Sequence, residues 1–333
     1  MRSMVERCEK KRLFVCCDGT WQNASGSVAP LTNVAKLARA VYRLGEDHFQ
    51  VPEGDHNIDT DWGSGAEHDR YGVVRQIVYY SSGVGAASSL WSDSSFAGAT
   101  GKGNKTGLTK NMLDAYCFIC NNYNFLSLQD EIILVGFSRG AFTVRCLAHF
   151  ISAFGLLRRK GLVFLRKVYR SWKEGEGIIN PKLLDALHQL YYPVRIKVLA
   201  EWDTVSAMGC RNKFSFVNSS VPEKVDHAFL ALSLHEKRKS FQPELWKTTA
   251  GKYTTVEQCA FTGCHSDIGG GNRDPGLSTV ALLWMVSKIR RASSAKFDDA
   301  TLLQFLTPLQ EKSLRPWGKP PMRLWNLAST KGT

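Results

Sequence analysis

The sequence predicts an α/β fold, with a mostly parallel central sheet flanked by helices and interrupted by loop or cap insertions. Three observations point there. Short apolar runs alternate with segments of helical periodicity. The runs are near-continuous rather than alternating, as in strands whose two faces are both covered. One of them passes through a glycine-bracketed serine directly into an apolar-striped helix.

In chain order, the first strand is Leu13–Cys17 (LFVCC), stopped by Asp18-Gly19. A helix over Leu31–Leu44 follows, then a strand at Gln76–Tyr80 (QIVYY) and a helix at Lys105–Asn122. The strand Glu131–Gly136 (EIILVG) feeds the helix Arg139–Phe154. Pro181–Leu190 opens on a proline, which suits a first helical turn. Two further strands, Ile196–Trp202 and Val256–Thr262, and a helix at Ser278–Arg291 complete the alternation. Three stretches break it: 45–75, 83–104 and 206–252 are expected as insertions, lids or substrate walls. The α/β domain is expected over 11–297, with a proline-bearing peripheral segment at 298–333.

Composition bounds the function. A chain of 333 residues, 44% hydrophobic and 22% charged, needs no metal or disulfide staple. The formal charge of +13 suits an anionic partner such as a membrane surface. Basic residues are scattered rather than drawn into one stripe with aromatics, so nucleic-acid binding is not expected. No run approaches the length of a membrane span, and MRSMVERCEKKR lacks the apolar core of a signal peptide, so the cytoplasm is the expected location. Most of the nine cysteines, among them Cys16, Cys17, Cys146, Cys259 and Cys264, fall in apolar surroundings and read as reduced, buried thiols. Cys117 and Cys120 form a C-x-x-C without a second Cys/His pair, so no metal is expected. No cofactor is expected either. GATGKGNKTG at 98–107 resembles a phosphate-binding loop, but Lys105-Thr106 fall one place late and no strand leads into it.

The chemistry concentrates in EIILVGFSRGAF. Gly136-Phe137-Ser138-Arg139-Gly140 is a G-x-S-x-G between a strand and a helix. A serine hydroxyl projecting from so sharp a turn needs neighbours without a Cβ, and the helix N-terminus favours developing negative charge. Ser138 is therefore the candidate nucleophile. A serine needs a general base, and the base needs an orienting acid, in the chain order Ser, Asp or Glu, His. Of the eight histidines, His265 is the best placed, because it follows the strand VEQCAFT at its carboxyl end. His235 is the alternative, although Glu236–Lys239 give it a surface-like setting. Asp203 ends the strand RIKVLAEWD and is the candidate acid. Asp267 is its rival, but a position two residues past His265 suits turn-shaping or capping better. The oxyanion hole is expected from the backbone N–H of Arg139 and of Gly19. Asp18, Thr20 and Asp267 are candidate pocket residues.

CCDGTWQ, the GVG at 83–85, GFSRGAF, EWDTV and HSDIGGG occur together and in this order. With them the chain resembles, from about Lys11 to Arg291, a family of uncharacterised α/β-hydrolase domains of fungi and bacteria. That family includes the phospholipase effectors of bacterial type VI secretion. The resemblance implies an α/β-hydrolase fold and a triad falling on Ser138, Asp203 and His265. It also implies a lipid or phospholipid ester as substrate. Two departures from the family pattern, Ser206-Ala207-Met208 after WDTV and Asn272 after HSDIGGG, are expected beside the pocket by the same resemblance. The expected function is a serine ester hydrolase working through an acyl-enzyme on a small-molecule or lipid ester. The alternative is a catalytically inactive α/β-hydrolase-fold scaffold.

Overall fold

A computed structural model describes residues 7–19, 30–49, 70–83, 103–125, 130–206, 214–217, 220–249, 252–272 and 274–305. Thr20, Gly85, Ala207, Met208 and the segment from 306 onward lie outside the described residues. Seven described strands make one sheet: β1 (Arg7–Cys17), β2 (Leu44–Phe49), β3 (Arg70–Ser81), β4 (Glu131–Phe137), β5 (Ile196–Trp202), β6 (Val225–Ser233) and β7 (Thr255–Phe261). Their order is β7-β6-β5-β4-β1-β3-β2. Every neighbouring pair is parallel except β2, which runs antiparallel to β3. The described helices are α1 (Asn33–Ala40), α2 (Gly103–Asn122), α3 (Arg139–Phe154), α4 (Leu165–Glu174), α5 (Pro181–Ala186), α6 (His265–Gly269), α7 (Gly276–Ser293) and α8 (Asp299–Gln304).

The two faces follow from the period-2 pattern of the strands. Leu13, Val15, Ile132, Leu134 and Leu199 point to one side, where α2, α3 and α4 cover them. Phe14, Cys16, Ile133, Val135, Val198 and Trp202 point to the other, under α1 and α7. Each such aliphatic side chain contributes roughly 1.5–3 kcal/mol relative to leaving it exposed. The order also fixes where a site can form. From β1 the chain goes to β3 on one side, and from β4 to β5 on the other. The carboxyl ends of β1 and β4 therefore border a topological switch point, the usual crevice of an open α/β sheet.

The expected mostly parallel, helix-flanked sheet is observed, with changes. Two strands fall inside stretches read as insertions, β2 in 45–75 and β6 in 206–252. β2 (LGEDHF) is a short antiparallel edge strand whose polar sequence carries no apolar run. β6 pairs with both β5 and β7, so the sheet continues through the supposed insertion. The expected helix Leu31–Leu44 ends at Ala40, because Val41 turns extended and bridges to Phe297. The alternation read from sequence has no helix at 165–174, yet Leu165, Val168, Tyr169 and Trp172 keep helical spacing and are buried as α4. β7 is an edge strand, half exposed along its length, which explains its Glu257 and Gln258. The reading of the cysteines as buried holds for Cys16, Cys17 and Cys146. It fails for Cys264, which is exposed at the lip between β7 and α6, while Cys259 on the edge strand is half-buried. No helix among the described residues is long and apolar enough to cross a membrane.

Candidate active site

The turn after β4 is dictated by contact. A Cβ on Gly140 would sit 2.2 Å from the Cys17 carbonyl oxygen, and one on Gly136 would sit 2.5 Å from Ala141 Cα. Only glycines let α3 start this close to β4 and to the end of β1. Ser138 between them takes φ 57° and ψ −124°, a strained conformation for a residue with a side chain. Its N–H donates to the Trp202 carbonyl at 3.0 Å, and its own carbonyl accepts the Val205 N–H at 3.3 Å. The serine is thereby clamped to the end of β5, where Asp203 begins the next turn.

Asp203 is fully buried and also has positive φ, 41°. Its N–H donates to the Ala231 carbonyl of β6 at 2.7 Å. Its carboxylate accepts the Ser233 N–H at 2.7 Å and the Ser233 hydroxyl at 3.1 Å. These donors hold the carboxylate in place and leave one direction open, toward His265. His265 Nδ1 lies 2.6 Å from Asp203 Oδ2, and His265 Nε2 lies 2.8 Å from Ser138 Oγ. A proton on Nδ1 satisfies the carboxylate and turns the Nε2 lone pair toward the serine hydroxyl. The ring contacts Phe137, with centroids 4.7 Å apart, and Phe241, T-shaped at 5.1 Å. Gly269 lets α6 lie on Phe137, because a Cβ there would come within 1.9 Å of that ring.

The two rivals have other work. His235 Nδ1 accepts the Gly263 N–H at 3.2 Å, bracing the turn before α6. Asp267 accepts from the Cys264 N–H at 2.9 Å and from Asn272 Nδ2 at 2.8 Å, capping α6 and tying down the glycine-rich turn.

Asp18 and Gly19 lie against the elbow, with the Gly19 Cβ direction 3.5 Å from Ser138 Cβ. The buried Asp18 carboxylate gathers the Tyr80 hydroxyl at 2.5 Å, the Thr32 hydroxyl at 2.7 Å and the Gly19 N–H at 2.7 Å. Burial pushes its pKa up, and these three donors oppose the rise. The Gly19 N–H, expected as an oxyanion donor, is thus aimed at Asp18 in this arrangement. Arg139 opens α3, where the first N–H groups have no intrahelical acceptor. Its guanidinium is half-buried, and burial lowers its pKa.

Several residues around this centre gave no sequence signal. Ser233 and Tyr80 act only through strands paired in three dimensions. The segment after β6, read as surface, packs on the site: the Glu236 carboxylate accepts the His265 N–H at 3.3 Å. Behind the site, Arg145 of α3 forms a fully buried ion pair with Glu201 of β5. Its Nε contacts both carboxylate oxygens at 3.1 Å, and its guanidinium stacks 3.6 Å over Trp246. The Thr204 hydroxyl donates to Glu201 at 2.5 Å. Among the described residues, no group of three or more His, Cys, Asp or Glu is arranged to hold a metal ion.

The family model described as "T6SS, Phospholipase effector Tle1-like, catalytic domain" matches residues 11–288. An uncharacterised protein of Saccharomyces cerevisiae, YEL023C, is 27% identical over 283 residues, which cover 75% of this chain and 36% of the yeast protein. A crystal structure of an uncharacterised protein from Pseudomonas aeruginosa aligns with a TM-score of 0.46 and 17% identity, covering 98% of this chain and 52% of that one. The chain spans about a third of the yeast protein's length and about half of the Pseudomonas aeruginosa chain's.

Proposed function

This chain belongs to the family of Tle1-like T6SS phospholipase effector catalytic domains, and on that premise we propose that it hydrolyses lipid esters with Ser138 as nucleophile. The observation that carries the reading is the unbroken hydrogen-bonded line Ser138–His265–Asp203, buried at the carboxyl ends of three strands. His265 Nε2 takes the hydroxyl proton as Ser138 Oγ attacks the ester carbonyl carbon. Asp203 holds the imidazole tautomer and stabilises the imidazolium. The tetrahedral oxyanion is met by the N–H groups at the start of α3, Arg139 first among them. Collapse expels the alcohol, which takes its proton from His265. Water then hydrolyses the acyl-enzyme by the same steps in reverse. For Gly19 to contribute a second donor, its N–H must leave Asp18 as substrate binds. The excess of positive charge supports approach to an anionic lipid surface.

The test uses p-nitrophenyl esters of rising chain length and phospholipid vesicles with and without anionic lipid. A fluorophosphonate probe reports the serine directly. Wild type should label and hydrolyse, and Ser138→Ala should do neither, with kcat reduced by about 10⁴–10⁶. Hydrolysis that persists in Ser138→Ala would overturn the assignment. A folded wild type that neither labels nor hydrolyses would favour a binding role for the same fold.

A further inference from the structure

The segment Leu234–Phe241 leaves β6 and runs beside the turn that carries His265. The Leu234 N–H donates to the Phe261 carbonyl at 3.0 Å, and the His235 N–H donates to the Gly263 carbonyl at 3.0 Å. The Cys264 thiol reaches the His235 carbonyl at 3.4 Å. These bonds prolong the β6–β7 ladder past the end of the sheet, so the segment is fixed to the His265 turn.

Three side chains then converge. The Glu236 side chain is 3% exposed, although its neighbours Lys237–Lys239 face solvent. Glu236 accepts the His265 backbone N–H. Its other bonds come from Arg238: the backbone N–H at 2.8 Å, Nε at 2.9 Å and Nη2 at 2.8 Å. Arg238 in turn lies 3.8 Å over the Phe241 ring, and Phe241 meets the His265 imidazole edge-on. The contacts thus form a closed loop from the His265 backbone to its ring.

We propose that Glu236, Arg238 and Phe241 are positioning residues that hold the His265 imidazole in line with Ser138 and Asp203 and balance the charge around it. The proposal rests on the reading of His265 as the base. Geometry supports it from both sides of the histidine. One arm fixes the N–H of the residue, and the other gives the ring a second aromatic contact besides that of Phe137. Electrostatics support it too. The Arg238 pairing pulls the Glu236 pKa down to about 2, so the carboxylate is an anion throughout the range in which histidine titrates. Among the described residues, the charged and titratable groups near His265 include Asp203 from the end of β5, Ser138 from the elbow, Glu236 and Arg238 from this segment, and Cys264 and Asp267 from its own turn. Within that set Glu236 and Arg238 are an opposed pair, so removing either one unbalances the field in a known direction.

The test is the ionisation of His265 itself, read by NMR in protein carrying ¹³C-labelled histidine and assigned by the signal lost in His265→Gln. Arg238→Gln leaves the Glu236 anion unopposed and should move the His265 titration to higher pH. Glu236→Gln leaves the Arg238 cation unopposed and should move it to lower pH. The double variant should return toward wild type. Phe241→Leu should leave the pKa nearly unmoved but cut kcat on a p-nitrophenyl ester about tenfold at unchanged KM, because the ring is freed rather than recharged. A purely structural role would not shift the two single variants in opposite directions. Shifts of the same sign, or none in folded variants, overturn the proposal. The NMR readout needs no turnover, so it separates this failure from that of the hydrolase reading, which fails if wild type resists the fluorophosphonate probe.

Discussion

At the scale of single residues, backbone strain and hydrogen bonding divide the labour. Ser138 and Asp203 both have positive φ, and each is over-determined by neighbours that replace the lost backbone comfort. Asp203 has three bonds besides the one to His265, so a change that keeps its shape should keep the fold. Asp203→Asn is expected to retain the wild-type melting temperature within about 1 kcal/mol of stability while kcat falls about 10³–10⁴-fold, because the amide favours the wrong imidazole tautomer. Thermal melts together with steady-state ester hydrolysis would check both halves. Ser138, Asp203 and His265 were legible because each ends or follows a strand whose apolar run is visible in the sequence. Ser233 and Glu236 were not, since their work depends on β6 lying between β5 and β7, which no local pattern announces.

At the scale of elements, the same contrast holds. β4 and α3 were readable together because the glycine-bracketed turn joins them. β6 was not, because its apolar core Ala228–Leu232 is a brief run, and brief runs do not distinguish strand from loop or helix. β2 was hidden by its polarity, as edge strands often are. The element that binds the halves of the site is the Arg145–Glu201 pair between α3 and β5. Charges taken wholly out of water are held only by each other and by their remaining partners, here the Glu244 carbonyl, Thr204 and Trp246. Arg145→Met alone should therefore destabilise by about 3–5 kcal/mol, because it strands Glu201. Arg145→Met with Glu201→Leu should recover most of that loss. A urea-denaturation cycle on the two singles and the double measures the coupling. Additive losses would show that the pair is not the unit described.

At the scale of the whole molecule, pH acts through groups buried in their neutral form or held by partners. Burial lowers the His149 pKa to about 4, and the positive Arg145 nearby adds to the effect. As pH falls, the unfolded chain then takes up a proton on this residue below the ordinary histidine value of 6.5, before the folded one does. Stability should fall between about pH 6.5 and 4 by on the order of 3 kcal/mol, then level off for this group. Glu236 extends the decline. Its folded pKa of about 2 lies under the ordinary glutamate value of 4.5, so its contribution is complete above 4.5 and is lost as pH falls toward 2. Melting temperatures from pH 7 down to 3 should show a continuous slope, and His149→Gln should flatten its upper part. The global architecture was legible from the alternation of apolar runs and helices, because burial on two faces leaves that trace. Strand order was not, because it depends on pairings that connect distant segments.

The Arg145–Glu201 pair also bears on how this sequence can drift over generations. A lineage that loses the arginine first passes through a chain with a stranded buried carboxylate, and one that loses the glutamate first passes through a stranded guanidinium stacked on Trp246. Either intermediate is poorly viable, so the two positions should change together or not at all. Diverged relatives are then expected to carry both charges or a pair of apolar residues, with mixed combinations rare. Position 246 should follow, remaining aromatic wherever the arginine persists.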